Sequence, residues 1–323
     1  MSVEVLAVGA IALVAIALYA IFGGADFGGG VWDVLASGPR RAAQQDAIGH
    51  AIGPVWETNH VWLIFLIVVM FTCFPPAFAD LSIGLYVPLS FVLVGIILRG
   101  AAYAFRSQTH DSSRFATFWG HVFGIASVVS PFAFGLAVGG LTVGNYAWHS
   151  PFAIAIGFFA VALCAQIAGV FLTLETSGEL ADDFHNRAIA ATFGLAVIGA
   201  IALVVAKISS PATLALLAGP HAIVGIGIAM VLGFVVLGLL YIKQYHAARI
   251  AVAAEAIAVL AGWYAAQAPY LIPGTLRIED AASPPSTIRA FLWLTAIGGV
   301  LLVPSLVLLF RVFKTASRAN DAA

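Results

Sequence analysis

The sequence predicts an all-α polytopic membrane protein with nine transmembrane helices. Three observations lead there. Hydrophobic residues fill 62% of the 323 positions and charged residues only 9%, against about 25% charged in a soluble domain. Apolar runs of roughly 20 residues, the length that crosses a bilayer, recur along the chain. Lys and Arg concentrate in alternate breaks between those runs, as cytoplasmic retention of basic residues requires. A water-facing fold of this size is excluded, because its surface could not be covered with charge. Disorder needs low hydrophobicity and high net charge, and the net charge is -1. Fourteen scattered basic residues offer nucleic acid no concentrated basic face. Cys73 and Cys164 are too few for a disulfide framework or a four-cysteine metal site. Both lie in apolar runs and read as free thiols.

The runs lie at about 3–22, 54–74, 77–98, 115–142, 151–174, 187–207, 220–242, 250–268 and 288–313. Between them stand Gly38-Pro39-Arg40-Arg41, Pro75-Pro76, the stretch from Arg106 to Arg114, Trp148-His149-Ser150-Pro151, the acidic stretch from Glu175 to His185, Ser209-Ser210-Pro211, Lys243 to Arg249, and a proline-rich external segment over 269–287. Pro75-Pro76 is either a tight turn between two spans or a kink in one long helix. Arg40, Arg41, Arg99, Arg106, Arg114, Arg187, Lys243, Arg249, Arg311, Lys314 and Arg318 fall on one side, and Lys207, Arg277 and Arg289 on the other. This asymmetry puts the N-terminus outside and the C-terminus in the cytoplasm, and it supports an odd number of spans. The first run lacks the positive start of a cleaved signal. With no linker long enough to separate domains, residues 1–323 are expected to form a single integral membrane domain.

An ionisable group inside a bilayer is costly unless it faces protein, water or a partner, so each one is a candidate. The densest cluster is Gly23-Gly24-Ala25-Asp26-Phe27-Gly28-Gly29-Gly30-Val31-Trp32-Asp33, followed by Ile52-Gly53-Pro54-Val55-Trp56-Glu57-Thr58-Asn59-His60-Val61-Trp62. Gly24 and Gly28 have the spacing that lets helix backbones touch, and Asp26 between them can sit against another helix or a file of water. A plain packing stripe, with Asp26 bonded to a neighbour, fits equally well. Pro54 suits the first turn of a helix, and Glu57 then stands where the helix dipole favours negative charge. Glu57 and His60 share a face, with Asn59 beside them and Trp56 and Trp62 flanking. A proton mouth at the cytoplasmic surface and a dipole-matched helix start anchored by tryptophans are both compatible with that pattern.

Elsewhere the signals are weaker. Glu255 follows Arg249 and reads as a snorkelling or paired charge. His121 beside Trp119 and Gly120 is a haem ligand or, more commonly, a hydrogen-bonded core residue. Glu175, Glu179, Asp182 and Asp183 read as a solvated acidic face. No His pair, Cys–His cluster or phosphate-cradling loop is present, so no self-sufficient metal, haem or nucleotide site is expected.

The segments Gly24–Asp33 and Ile52–Leu63, together with Phe74-Pro75-Pro76-Ala77-Phe78-Ala79, resemble subunit II of cytochrome bd-type quinol oxidases. The likeness rests on roughly the first 80 residues. It implies two four-helix bundles plus one peripheral helix. It also implies an enzyme that oxidises membrane quinol and reduces dioxygen to water. Haems of types b and d would be carried mainly by a partner, subunit I, with this chain non-haem and not catalytic alone. Lipid, a structural quinone and a small accessory subunit are further partners the resemblance allows. On the matching positions Glu57 takes the place of an acidic residue at a proton pathway, with Asn59 and His60 beside it, and Asp26 takes the second acidic position of the first-helix motif. The family often carries a further Asp three residues earlier, where this chain has Gly23. The resemblance therefore predicts cytoplasmic proton access to the partner's oxygen-reducing site through Glu57 and Asp26. The rival reading is a proton-coupled secondary transporter using Asp26, Glu57 and Glu255, which predicts broken helices repeated in matching halves. A third reading is an assembly subunit with no transfer role.

Overall fold

The structure, a computed structural model, describes residues 2–52, 56–107 and 114–320; of residues 52, 56–58, 107, 303, 306 and 309–320 it describes the backbone alone. In chain order the elements are α1 (Val3–Val34), α2 (Arg41–Ile52), α3 (Trp56–Cys73), α4 (Pro75–Gly84), α5 (Tyr86–Ser107), α6 (Arg114–Val143), α7 (Pro151–Glu175), α8 (Glu179–Ser209), α9 (Pro211–Leu217), α10 (Pro220–Tyr241), α11 (Tyr245–Gln267), the strands β1 (Tyr270–Ile272) and β2 (Leu276–Arg277), and α12 (Pro285–Asn320). Among the described residues eight helices are long and apolar enough to cross a membrane. A ninth arises if Asn59–Cys73 and Pro75–Gly84, bent by 120° from each other, form one span. The chain is thus an all-α multi-pass membrane protein, apart from one short hairpin.

Three expected boundaries move. The first span does not stop at residue 22: α1 continues through the glycine-rich stretch to Val34. The span expected at 77–98 is displaced to Tyr86–Ser107. Pro75 and Pro76 occupy the first turn of a separate short helix, where their missing N–H groups cost nothing, and α5 restarts after Leu85. The fifth break is also shorter than expected, because α8 begins at Glu179. Serine side chains fix two of the other starts. Ser2 Oγ accepts from the Val5 N–H and Ser150 Oγ from the Ala153 N–H, satisfying donors that a helix start leaves unpaired.

α1 lies at the centre and packs on α3, α6 and α7. Its glycines make that possible. A Cβ at Gly28 would overlap the Cys164 carbonyl of α7, and one at Gly30 would overlap the Ser127 side chain of α6. One turn beyond Gly28, Trp32 Nε1 donates to the Ala165 carbonyl at 2.8 Å and locks the same α1–α7 contact. Further along, α7 packs on α8 and α11, α10 on α11, and α12 on α1 and α3.

Apart from Arg289 and Glu4, 2.8 Å apart at the other end, the ion pairs among the described residues gather at one end of the bundle. Arg40 reaches Asp183 at 2.6 Å and Glu179 at 2.8 Å, Lys243 reaches Asp182 at 3.1 Å, and Arg249 lies 3.6 Å from Glu175. The acidic stretch is solvent-exposed at Glu175, Glu179 and Asp182, as expected, and it also supplies counter-charges to Arg40, Lys243 and Arg249. Its hydrogen bond from Lys243 holds that ammonium above its ordinary range, with Asp182's charge adding to the effect. At the opposite end, β1 and β2 pair antiparallel, Tyr270 opposite Arg277. The segment after them is pinned to the end of α3: the Ser283 N–H donates to the Cys73 carbonyl at 2.8 Å and Ser283 Oγ to the Thr72 carbonyl at 2.7 Å.

Candidate proton-access site

The sequence motifs converge where α1, α3, α5 and α6 meet. Asp26 is buried in the glycine-rich half of α1. Asn59 of α3, also buried, donates from Nδ2 to Asp26 Oδ2 at 2.7 Å. His60 follows on α3, with its ring centroid 5.8 Å from Tyr19 and 6.1 Å from Phe27. Tyr19 fills the space beside Gly23: a Cβ on Gly23 would lie 2.9 Å from Tyr19 Cε2. Trp62 is half-buried one turn beyond Asn59. Glu57 and Trp56 stand in the first turn of α3, and their side chains lie outside the described residues.

Sequence reasoning missed the cation of this site. Arg99 was counted among cytoplasmic loop charges; it is instead 2% exposed inside the bundle. Its Nη2 donates to the Asp26 backbone carbonyl at 3.0 Å and its Nε to Ser127 Oγ at 3.2 Å. Its guanidinium carbon sits 5.4 Å from the Phe27 ring centroid and 5.1 Å from that of Phe123, a cation–π sandwich. A second buried carboxylate, Asp33, is the last residue but one of the same helix. Arg106 Nη1 donates to both its oxygens, at 3.1 and 3.0 Å. Along α1 the arrangement is therefore Asp26 with Asn59 and Arg99, then Asp33 with Arg106, leading toward the ion-paired end of the bundle. Asp and Asn at this site can exchange and orient a proton, and the paired arginines compensate the buried negative charge.

Of the small-residue pair, Gly28 makes the close backbone contact. Gly24 is looser, its Cβ position being 3.3 Å from Ile167 Cδ1. The remaining candidates separate from the site. His121 lies on an exposed face of α6 with Nδ1 2.8 Å from the Thr117 carbonyl, so it is not a core residue. Glu255 is not paired with Arg249: it is buried on α11 and accepts from Gln166. No group of three or more His, Cys, Asp and Glu that could hold a metal ion occurs among the described residues. Of the described histidines, His50 and His121 hold Nδ1 against carbonyls of their own helices, and His60 is packed among aromatic rings.

Comparison with known proteins adds identity to this geometry. The family model described as cytochrome bd terminal oxidase subunit II matches residues 5–313. The chain is 31% identical over 151 residues to the cytochrome bd ubiquinol oxidase subunit 2 of Bacillus subtilis, covering 43% of each chain. It is 27% identical over 170 residues to the cytochrome bd-I ubiquinol oxidase subunit 2 of Escherichia coli, covering 48% of this chain and 44% of that one. The matched segment thus spans less than half the length of these curated relatives. In fold, the chain superposes on a chain of the bd oxidase from Geobacillus thermodenitrificans with a TM-score of 0.74, over 97% of this chain and 99% of that one at 21% identity. The reading as a secondary transporter finds no support in these matches. The chain belongs to the cytochrome bd terminal oxidase subunit II family.

Proposed function

We propose that this chain is the non-haem subunit II of a cytochrome bd-type quinol:dioxygen oxidoreductase in the cell membrane. It works beside a haem-bearing subunit I, in contact with quinone and lipid, and serves that partner as its route for cytoplasmic protons. The haems of the partner supply the electron transfer and oxygen reduction; this chain's residues hold and orient protons. Glu57, at the start of α3, takes a proton from the cytoplasm. Asn59, two residues on, fixes Asp26 through its 2.7 Å hydrogen bond, and Asp26 passes the proton inward, with His60 lining the way. The observation that carries this reading is a carboxylate buried in the membrane, oriented by Asn59 and backed by the buried Arg99.

The orientation we propose has the N-terminus outside and the C-terminus in the cytoplasm. What supports it is that Arg40, Arg106, Lys243 and Arg249 all sit at the ion-paired end, the side favoured for basic residues. We read the chain as one membrane domain: α1, α3, α5 and α6 as one four-helix bundle, α7, α8, α10 and α11 as the other, and α12 as the peripheral helix. The pairings α5 with α6, α7 with α8 and α10 with α11 fit this grouping, while α7 also packs on α1 and α6 and so joins the two bundles.

The test uses the purified two-subunit oxidase. Glu57→Ala and Asp26→Asn should leave its haem absorption intact while oxygen consumption falls by about 100-fold, the lower range for losing a positioned proton-transfer group. Normal oxygen consumption by Glu57→Ala would remove Glu57 from the route. Failure of the chain to purify with a haem-bearing subunit would remove the whole assignment.

A further inference from the structure

Three carboxylates are buried among the described residues: Asp26, Asp33 and Glu255. The first has Arg99 against its backbone and the second has Arg106 on its oxygens. Glu255 has neither. It stands ten residues into α11, about 15 Å from the helix start, and is 6% exposed. Its one hydrogen-bonding neighbour among the described residues is Gln166 of α7, whose Nε2 donates to Glu255 Oε2 at 2.8 Å and to Thr192 Oγ1 of α8 at 3.3 Å. Gln166 is fully buried.

Lys207 stands exposed in the last turn of α8, and the other charged groups on the surrounding helices are committed elsewhere. Arg249 on α11 pairs with Glu175 of α7 and lies over the Phe171 ring. Arg187 on α8 donates to Gln44 and lies over Trp32 and Phe184. His185 on α8 faces Tyr245. Cys164 on α7 packs against α1. On α10 the titratable residues, His221 and Tyr241, stand at its two ends. An ionised carboxylate in such a place would be uncompensated, and a buried carboxyl in that position takes up a proton instead.

Two details make this a built site rather than a stray acid. Gln166 Oε1 is buried and has no hydrogen-bond partner. It is an acceptor with capacity to spare, which a neutral O–H can use once the amide turns over; which amide atom faces Glu255 is an assignment that depends on the proton. In addition, a Cβ at Gly233 of α10 would lie 3.0 Å from Glu255 Oε1, so the glycine keeps space open beside that oxygen.

We propose that Glu255, Gln166 and Thr192 form a second proton-binding site, separate from Asp26 and Glu57, in which Glu255 is a neutral carboxylic acid held by the Gln166 amide. The ligand is a single proton, and Gln166 is the positioning residue. The site lies apart from the route proposed above and does not depend on it.

Infrared spectroscopy of the intact purified oxidase at pH 7 tests the assignment. The wild type should show a carboxylic acid C=O band, shifted down in D2O, that Glu255→Gln abolishes while haem absorption stays unchanged. Gln166→Leu, which keeps the acid but removes its hydrogen bond, should move that band to higher frequency. If Glu255→Gln does not accumulate, the response to Gln166→Leu decides alone. A spectrum identical in wild type and Glu255→Gln, or a band that ignores Gln166→Leu, overturns the proposal.

Discussion

Replacing Arg99 by leucine should cost about 3–5 kcal/mol, the range for stripping one partner from a buried ionic arrangement, and the chain should fail to accumulate in membranes. Arg99 connects three helices through one side chain. From α5 it donates to the Asp26 carbonyl of α1 and to Ser127 of α6, and its guanidinium is enclosed by Phe27 and Phe123. Leucine would fill part of that volume but leave the hydrogen bonds unmade and the Asp26 carboxylate without its neighbouring cation. Lysine keeps the charge and loses the planar fork that spans both acceptors, so Arg99→Lys should accumulate in a reduced amount. The measurement is the yield of the two-subunit oxidase and its thermal unfolding midpoint. Wild-type yield and midpoint for Arg99→Leu would show that the buried guanidinium holds nothing together.

Gly28→Val should be the next most damaging change, at about 1–3 kcal/mol or more for forcing volume into a packed interior. The obstruction is backbone: the position a Cβ would take is already occupied by the Cys164 carbonyl. Unlike a side chain, that carbonyl cannot rotate away without moving α7. Separating α1 from α7 would also stretch the Trp32–Ala165 hydrogen bond one turn on. Gly24→Ala provides the control, because its nearest obstacle is the end of the Ile167 side chain at 3.3 Å. Gly24→Ala should assemble close to normally and Gly28→Val poorly. Equal yields from the two would mean that the α1–α7 approach is not fixed by Gly28.

The glycine–aspartate motif was legible because its two signals are independent of register. Glycines reveal close approach, and a carboxylate in an apolar run reveals a site, wherever the helix ends. Arg99 was not legible, because its meaning depends on where the span begins. With a start at 77, Arg99 falls just past the helix and reads as a cytoplasmic loop charge. With the observed start at Tyr86, it lies about 20 Å along the helix. The polar residues Asp80 and Ser82, inside the supposed span, were the signal that α4 is a separate piece. Glu255 failed for the same reason. Its distance from Arg249 suggested a pair at the surface, but α11 begins at Tyr245 and carries it inward. Gln166 could only be found in three dimensions, since an uncharged amide in an apolar run has no partner visible in the sequence. The ion pairs of the exposed acidic stretch at 175–183 were not legible because its counter-ions are distant in the chain: Arg40 lies 143 residues before Asp183.

Ser283 caps carbonyls of Thr72 and Cys73 that lie 211 and 210 residues before it in the chain. A helix terminus leaves such carbonyls without partners of its own. During translation the end of α3 therefore waits, half-finished, until nearly the whole polypeptide has left the ribosome. A product truncated before the hairpin would display that raw edge at the hairpin end of the bundle, giving membrane proteases a way to tell aborted copies from complete ones.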